Sequence, residues 1–359
     1  MAPWQEQFKA LDCSNPRYDS EVLQVEPLLA AILTTCHRPP FKRNTPGWQT
    51  LVTIDAGTQQ VRAVPTASIY SGGLHFTQDG DVIWYSSRTL VEDASKQLYV
   101  EAYALRKGEL QERLLGRIPM PFVSGPGVGH VEGEGCHLVA FHNFRADDKS
   151  PHLQQIFLVN DREPFESARR LEGIGRGLFW DPVRKSFVVQ TKPHRALGVP
   201  GSDPLERKTL DCSGQTGELD AELRRRLALI TDENAQFHVS RQGHLAVGSE
   251  KAGSGEQEIV VFRGEQIQRI AARQSFASCP DLHCEPFYEL LFAGPWSSSG
   301  EYFMVDRGFD LVEIYRASDM QMVKQWAMKD FGKFPVHGFL NDRAAFEFND
   351  HSRLTFHTW

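Results

Sequence analysis

The feature that most constrains the fold of this chain is a repeat of short apolar runs flanked by turns. Seven of these runs end in a short segment that carries a basic residue. The endings are residues 35–38, 86–88, 142–145, 191–195, 250–251, 306–307 and 350–353. Because a repeated sequence unit usually builds a repeated structural unit, the seven endings are expected to lie on one face.

Most repeats contain a pair of strands joined by a tight polar turn, with β-branched and aromatic residues on both sides of the turn. Such a pattern is typical of a β-hairpin. The clearest hairpins are residues 74–85, 237–247 and 295–305. Most hairpins are followed by a third and a fourth strand, which are clearest at residues 51–64, 259–270 and 311–323. The repeat therefore predicts four antiparallel strands.

Four strands in a unit of roughly 50 residues resemble the blades of WD-repeat-like β-propellers. The closest match is residues 298–306, followed by the strand 312–315. The resemblance implies an all-β fold, namely a seven-bladed β-propeller of four-stranded antiparallel blades with one inserted amphipathic helix. It also implies that the loops leading into the first strands share a face with the endings of the second strands.

The repeats divide almost the whole chain. Blades are expected to begin near residues 24, 69, 127, 175, 235, 286 and 334. Residues 1–20 are then an N-terminal extension, and residues 21–359 form a single propeller domain. The last repeat stops after three strands, so the N-terminal region is expected to supply the fourth strand and close the ring.

One segment breaks the strand pattern. Residues 218–230 have leucines four positions apart and acidic residues in the first turn, which predicts an amphipathic helix within an insertion of about residues 217–232. The helix is interpreted as a lid packed on a blade edge. The alternative is a docking site for a partner at Arg224, Arg225 and Arg226.

The composition limits the class of protein. A net charge of −7 argues against general nucleic-acid binding, and no apolar run approaches the roughly 18 residues of a membrane span. The first residues lack the pattern of a signal peptide, so a cytoplasmic location is expected. The six cysteines are widely scattered, which predicts free thiols in a reducing compartment.

Basic residues and glycines coincide in repeats two to four. Glycine-rich segments lead into the first strands at residues 71–73, 125–130 and 173–177. The residues expected to bind a ligand at this face are Arg88, His130, His142, Arg145, Arg176, Lys192 and Arg195, with His194 beside them. Converging guanidinium and imidazole groups favour an anionic ligand. The alternatives are a solvated basic rim and glycines that only relieve crowding near the axis.

The sequence carries no clear signal for a metal, a cofactor or a nucleophile. His130, Glu132, Glu134, His137 and His142 are the densest set of metal-ligand types. Gly133 and Gly135 predict a turn that sends Glu134 outward, so no metal site is expected. Cys279 and Cys284 have no second pair of ligands downstream and are interpreted as part of a linker.

Three functions remain open at this stage. The first is a cytosolic binding or scaffolding module that recognises an acidic ligand or protein partner at the channel mouth, without a cofactor. The second is a propeller enzyme, a cyclase, lyase or isomerase, that acts on a small anionic substrate with His130, His142 and His194 as acid–base residues. The third is a structural subunit that contacts its partners through blade edges.

Overall fold

The structure is a computed structural model. The described residues are 23–25, 28–34, 49–55, 61–66, 72–76, 81–89, 98–106, 108–109, 111–120, 128–142, 154–191, 206–232, 234–251, 255–275, 287–308, 311–327, 336–348 and 354–359. The chain divides into two compact units. Each unit is built from antiparallel sheets whose strands follow one another in sequence.

The first unit contains four sheets of four strands each. Sheet 1 consists of β1 (Leu23–Val25), β2 (Leu28–Thr34), β3 (Gln49–Asp55) and β4 (Val61–Thr66). Sheet 2 consists of β5 (Gly72–Phe76), β6 (Val82–Thr89), β7 (Leu98–Leu105) and β8 (Arg113–Met120). Sheet 3 consists of β9 (Val128–Glu132), β10 (Cys136–His142), β11 (Gln154–Asn160) and β12 (Arg169–Arg170), with a 3₁₀ turn at Phe165–Ser167. Sheet 4 consists of β13 (Arg176–Asp181), β14 (Ser186–Gln190), β15 (Arg207–Leu210) and β16 (Thr216–Gly217).

The second unit contains the helix α1 (Ala221–Leu227), two four-stranded sheets, one three-stranded sheet and a short ribbon. Sheet 5 consists of β17 (Gln236–Val239), β18 (Leu245–Glu250), β19 (Gln257–Arg263) and β20 (Gln266–Ala271). The ribbon pairs β21 (Gln274–Ser275) with β22 (Phe287–Tyr288). Sheet 6 consists of β23 (Leu291–Trp296), β24 (Tyr302–Arg307), β25 (Leu311–Arg316) and β26 (Gln321–Ala327). Sheet 7 consists of β27 (Val336–Asn341), β28 (Ala344–Phe348) and β29 (Leu354–Thr358).

The repeat is visible in the turns as well as in the strands. In sheet 5 the backbone N–H of Ser240 donates to the carbonyl of His244 at 2.8 Å, and the Ser240 hydroxyl accepts from the backbone of the same turn. In sheet 6 the N–H of Ser297 donates to the carbonyl of Tyr302 at 2.8 Å, and its hydroxyl accepts from the N–H of Tyr302 at 3.2 Å. The serine satisfies backbone groups that a two-stranded turn leaves without a ladder partner. Equivalent hairpins therefore use equivalent chemistry.

Aromatic residues fill the space between the sheets of the first unit. Tyr85 of β6 packs edge-on against Phe141 of β10, with ring centroids 5.9 Å apart, and against Phe165, with centroids 5.5 Å apart. On the other face of sheet 3, the side chain of Leu138 packs in a second cluster with Phe187 of sheet 4. Sheets 2, 3 and 4 therefore stack face to face, which is how apolar strands of successive sheets become buried on both sides.

Helix α1 begins after Asp220, whose carboxylate accepts from the N–H of Leu223 at 2.8 Å. Leu223 and Leu227 are buried, which confirms that the helix packs on the protein through its leucine face. Arg226 is also buried and donates to the carbonyl of Gly264 at 2.8 Å. Of the three arginines named for the alternative docking site, Arg226 therefore faces the protein rather than solvent. Helical periodicity places it between Leu223 and Leu227 on the inner face.

The prediction that all the cysteines are free thiols is wrong for two of them. Cys136, at the start of β10, and Cys212, in the turn after β15, form a disulfide with a Cα–Cα distance of 5.8 Å. They are 76 residues apart in sequence, and only the stacking of sheet 4 on sheet 3 brings them together. No spacing rule for nearby cysteines detects such a pair.

Two other expectations concern the ends of the chain and membranes. Sheet 7 shows three strands, as predicted for the last repeat, whereas the expected closing strand from the N-terminal region lies outside the described residues. Across the described part of the chain, no helix has the length and apolar character that crossing a bilayer requires.

Candidate functional site

In the first unit, the first strand of a sheet begins beside the end of its second strand. Gly72 is opposite Tyr85 in sheet 2, and Val128 is opposite Phe141 in sheet 3. In sheet 4 the N–H of Gly175 donates to the carbonyl of Gln190 at 2.8 Å. In sheets 2, 3 and 4 the glycine-rich segments therefore lie at the same end of the sheet as the C-terminal ends of the second strands. We name this end the strand-end edge and define it by the C-terminal ends of β6, β10 and β14.

Most of the predicted ligand-binding residues lie at this edge or just beyond the described segments that reach it. Arg88 is part of β6, and His142 is the last residue of β10, so the backbone places both at the strand-end edge. Lys192 follows Thr191, the last described residue after β14. Arg145, Lys192, His194 and Arg195 lie outside the described residues. The backbone therefore places Arg88 and His142 at this edge, and the role of the other four stays a prediction.

Arg176 is the predicted residue whose surroundings are best defined at this edge. It is the first residue of β13 and is half-buried. Arg207, the first residue of β15, pairs with Gln190 at the end of β14 and is also half-buried. Burial, and then the charge of Arg176, lower the pKa of Arg207 to about 10. Arg176 and Arg207 thus lie at the same end of sheet 4, near enough for the charge of Arg176 to affect Arg207.

Sequence reasoning missed Arg207. It does not belong to a second-strand ending, and its position opposite Gln190 depends on a long excursion of the chain between β14 and β15. Its position at the start of a third strand could have identified it, because an antiparallel third strand begins beside the end of the second strand.

A chain of hydrogen bonds connects sheets 2 and 3 inside the first unit. The Tyr85 hydroxyl and His137 Nε2 are 2.5 Å apart, and His137 Nδ1 is 2.8 Å from Asp161 Oδ1. A proton on Nδ1 lets His137 donate to Asp161 and accept from Tyr85, so every group has a partner. Burial and the charge of Asp161 raise the pKa of Tyr85 well above its usual range. The tyrosine therefore remains a neutral donor.

His130 lies beside this chain rather than at an open surface. Its ring centroid is 5.3 Å from that of His137, and burial together with His137 lowers the pKa of His130 well below its ordinary value. Partly exposed His130 is therefore held as a neutral imidazole at physiological pH, which does not favour it as a cation for an anionic ligand. Its role in ligand binding stays a prediction.

The possible metal ligands in sheet 3 separate into different environments. Glu134 lies in the turn between β9 and β10 and pairs with Lys185 at 3.3 Å, as expected for a side chain sent outward. His137 is engaged by Tyr85 and Asp161. Within the segments that the structure describes, no three histidine, cysteine or acidic side chains are grouped as a metal site requires.

The comparisons with known proteins define the fold of this chain. No protein-family model and no curated protein sequence matches it. Among solved structures it is similar to Kluyveromyces lactis Hsv2p, with 11% identity, a TM-score of 0.51, and coverage of 95% of this chain and 92% of that chain. It is also similar to Pyrococcus horikoshii acylaminoacyl peptidase, with 13% identity, a TM-score of 0.53, and coverage of 95% of this chain and 51% of that chain. The chain thus spans about half the length of that peptidase.

These similarities, together with the antiparallel four-stranded sheets, show that the chain has a β-propeller fold. At identities of 11% and 13%, the similarity establishes the fold but gives no information about activity. The function has to be argued from the residues of the site.

Proposed function

We propose that this protein is a propeller-type binding module that recognises an acidic segment of a protein partner at the strand-end edge of the first unit. The observation that carries the proposal is the pair of half-buried arginines, Arg176 and Arg207, at the end of sheet 4. Arg88 of β6 belongs to the same edge, and Arg145, Lys192 and Arg195 follow β10 and β14 in the sequence.

Two neighbouring guanidinium groups in a partly buried position repel each other, and an anion between or beside them reduces that repulsion. The pKa of Arg207 is lowered to about 10 by burial and by the charge of Arg176, which shows that keeping this guanidinium charged is unfavourable here. Carboxylates suit the geometry because a guanidinium presents parallel N–H donors to two oxygens. A series of glutamate or aspartate side chains reaches several sheets at once, so an acidic peptide gains more from the edge than a single small anion.

The order of the sheets supports the same conclusion. Sheets 2, 3 and 4 stack through their apolar faces, and β5 of sheet 2 lies beside β9 of sheet 3. Successive sheets that stack in this way place their equivalent edges next to each other. Basic residues that follow the second strands of successive sheets would suit an extended peptide better than a compact ligand.

The proposal is tested by binding to immobilised poly-L-glutamate. We expect the wild-type protein to bind at low ionic strength and to bind more weakly as salt rises, because exposed charges are screened over about 8 to 10 Å at moderate ionic strength. Changing Arg145, Arg176 and Arg195 together to glutamate should weaken binding by at least about tenfold, equivalent to about 1.4 kcal/mol. The Arg176→Glu change places a carboxylate next to the guanidinium of Arg207 and allows an ion pair, so this variant should fold.

The matched control changes Arg113, Arg224 and Arg225 to glutamate, which alters the net charge by the same amount at exposed positions that do not belong to the strand-end edge: Arg113 begins β8, and Arg224 and Arg225 belong to helix α1. Arg226 is left unchanged because it is buried. Equal losses in the two variants would mean that only net charge matters. A larger loss in the control would place recognition near the helix and would refute the proposal.

A further inference from the structure

The turns at the opposite end of sheets 3 and 4 line an open cleft of about 600 Å³. This volume lies within the range of about 300 to 1,000 Å³ that is usual for small-molecule sites. The walls come from the β9–β10 turn, the turn after β11, the turn after β15, and the facing ends of β13 and β14. The cleft is separate from the strand-end edge, and it is not used by the proposed recognition of acidic peptides.

The walls of the cleft are held in place by covalent and polar contacts. The disulfide of Cys136 and Cys212 ties the start of β10 to the turn after β15. In that turn, Asp211 Oδ1 accepts from the N–H groups of Ser213 and Gln215, both at 2.9 Å. The carbonyl of Ser213 in turn accepts from the Arg169 guanidinium at 2.9 Å. A ligand therefore enters a preformed site and loses little free energy to ordering the protein.

Most polar groups of the walls are already engaged within the protein. Lys185 pairs with Glu134 at 3.3 Å, and the Asp211 carboxylate serves its own turn. The side chain of Asn160 accepts from the N–H of Arg162 at 3.1 Å and donates to Glu163 at 3.3 Å. The Arg162 guanidinium, by contrast, forms no ion pair with any residue that the structure describes. It is the charge in the cleft that remains for a ligand.

Trp180 gives the cleft an aromatic wall. Its ring packs edge-on against Phe187, with centroids 4.7 Å apart. The backbone of Gly133 approaches so closely that a Cβ at that position would lie 2.8 Å from the Trp180 ring. These contacts fix the orientation of the indole, and the half-buried ring still lines the cleft. A fixed aromatic face favours a ligand with a flat apolar part.

We propose that this cleft binds a small planar carboxylate, which stacks on Trp180 and places its carboxylate against the guanidinium of Arg162. The charge pattern selects a monoanion: one guanidinium is uncommitted, while the carboxylates of Glu134 and Asp211 in the walls repel a phosphate dianion. A planar cation is disfavoured because it would face Arg162 without an uncommitted acidic partner.

The same chemistry occurs in a free aromatic acid and in the C-terminal aromatic residue of a peptide. The test therefore measures binding of three probes by titration calorimetry and by ligand-observed NMR: indole-3-propionate, its neutral amide, and an N-acetylated tripeptide that ends in phenylalanine. We expect indole-3-propionate to bind and the amide to bind at least about tenfold more weakly, since it lacks the charge that pairs with Arg162. Tighter binding of the tripeptide than of the free acid would overturn the assignment to a small ligand.

Two variants locate the binding. Arg162→Gln should weaken binding of indole-3-propionate by about tenfold, whereas Arg170→Gln should leave it unchanged, because Arg170 is an exposed arginine of β12 that pairs with Glu172 at 3.3 Å. Trp180→Phe should weaken binding of both the acid and the amide, because it reduces the stacking surface that they share. Should Trp180→Phe fail to fold, the arginine pair still decides the question.

Equal binding of the acid and the amide would overturn the proposal, as would equal effects of the two arginine substitutions. A lack of binding of indole-3-propionate at about 10 mM, far above the concentrations at which a specific small-molecule site is half-filled, would also overturn it.

Discussion

Replacing Glu313 by leucine should lower the free energy of unfolding by about 3 to 5 kcal/mol, because it breaks a buried ion pair by removing one partner. Glu313 is fully buried in β25 and accepts from Arg307 Nε at 2.5 Å and from the Tyr315 hydroxyl at 2.8 Å. A second guanidinium, that of Arg273, donates to its other oxygen at 2.9 Å. The carboxylate therefore organises the polar centre of this part of the second unit.

The magnitude follows from what remains after the change. Arg307 is 5% exposed and keeps an ion pair with Glu289, but its Nε–H and the Tyr315 hydroxyl lose their partner. Burial opposes the charge of Arg307, yet its hydrogen bonds to Glu313 and Tyr315 and the charges of Glu313 and Glu289 together outweigh burial and raise its pKa above the ordinary value. Without Glu313 the guanidinium still stays charged, because arginine is not deprotonated in proteins and Glu289 remains its partner, so deprotonation does not relieve the cost. Glu313→Gln keeps the shape and some hydrogen bonds, so it should cost less, about 1.5 to 3 kcal/mol.

The assay is equilibrium unfolding in urea, followed by circular dichroism at neutral pH. The control is Glu172→Leu, since the Glu172 side chain is 83% exposed and its ion pair with Arg170 should contribute about 0 to 1 kcal/mol. If Glu313→Leu costs no more than this control, the buried network does not stabilise the protein through its ion pairs.

Three further results are expected from other parts of the molecule. Burial, opposed by Asp306, lowers the pKa of His238 from 6.5 to about 4. Because the unfolded state then binds a proton that the folded state does not, the free energy of unfolding should be highest above pH 6.5 and fall by about 3 kcal/mol as the pH drops to 4. His238→Gln should remove this part of the pH dependence. Reduction of the Cys136–Cys212 disulfide should cost about 4 kcal/mol in a urea titration with and without reductant, and an unchanged midpoint would contradict a native disulfide. Gly133→Ala places a methyl group 2.8 Å from the Trp180 ring, so a variant with unchanged tryptophan fluorescence and stability would show that the two do not pack closely.

The repeat in the sequence predicts the sheets well because strand periodicity and turn residues are local. The repeat predicts blades near residues 69, 127, 175 and 235, and the corresponding first strands begin at Gly72, Val128, Arg176 and Gln236. The expected helix at residues 218–230 is present in a shorter form, Ala221–Leu227. Residues 218–220 precede the helix, because the Asp220 carboxylate accepts a hydrogen bond from the N–H of Leu223 and so caps the helix at this point.

The contacts between sheets could not be predicted in the same way. The hydrogen bond between Tyr85 and His137 joins residues 52 positions apart, and it depends on how sheet 3 stacks on sheet 2. The place of Arg207 beside Arg176 and the burial of Arg226 likewise depend on the packing of whole elements. One sequence contains the residue types for these contacts but no local pattern that pairs them.

Hydrogen–deuterium exchange measured by mass spectrometry, with and without a glutamate-rich peptide, tests the central claim most directly. Binding at the strand-end edge should slow exchange in peptides that contain residues 86–89, 140–142 and 188–191, the ends of β6, β10 and β14, and raised salt should abolish the effect. Protection confined to helix α1, or to the turn after β15 on the opposite edge, would contradict recognition of acidic partners at the strand-end edge.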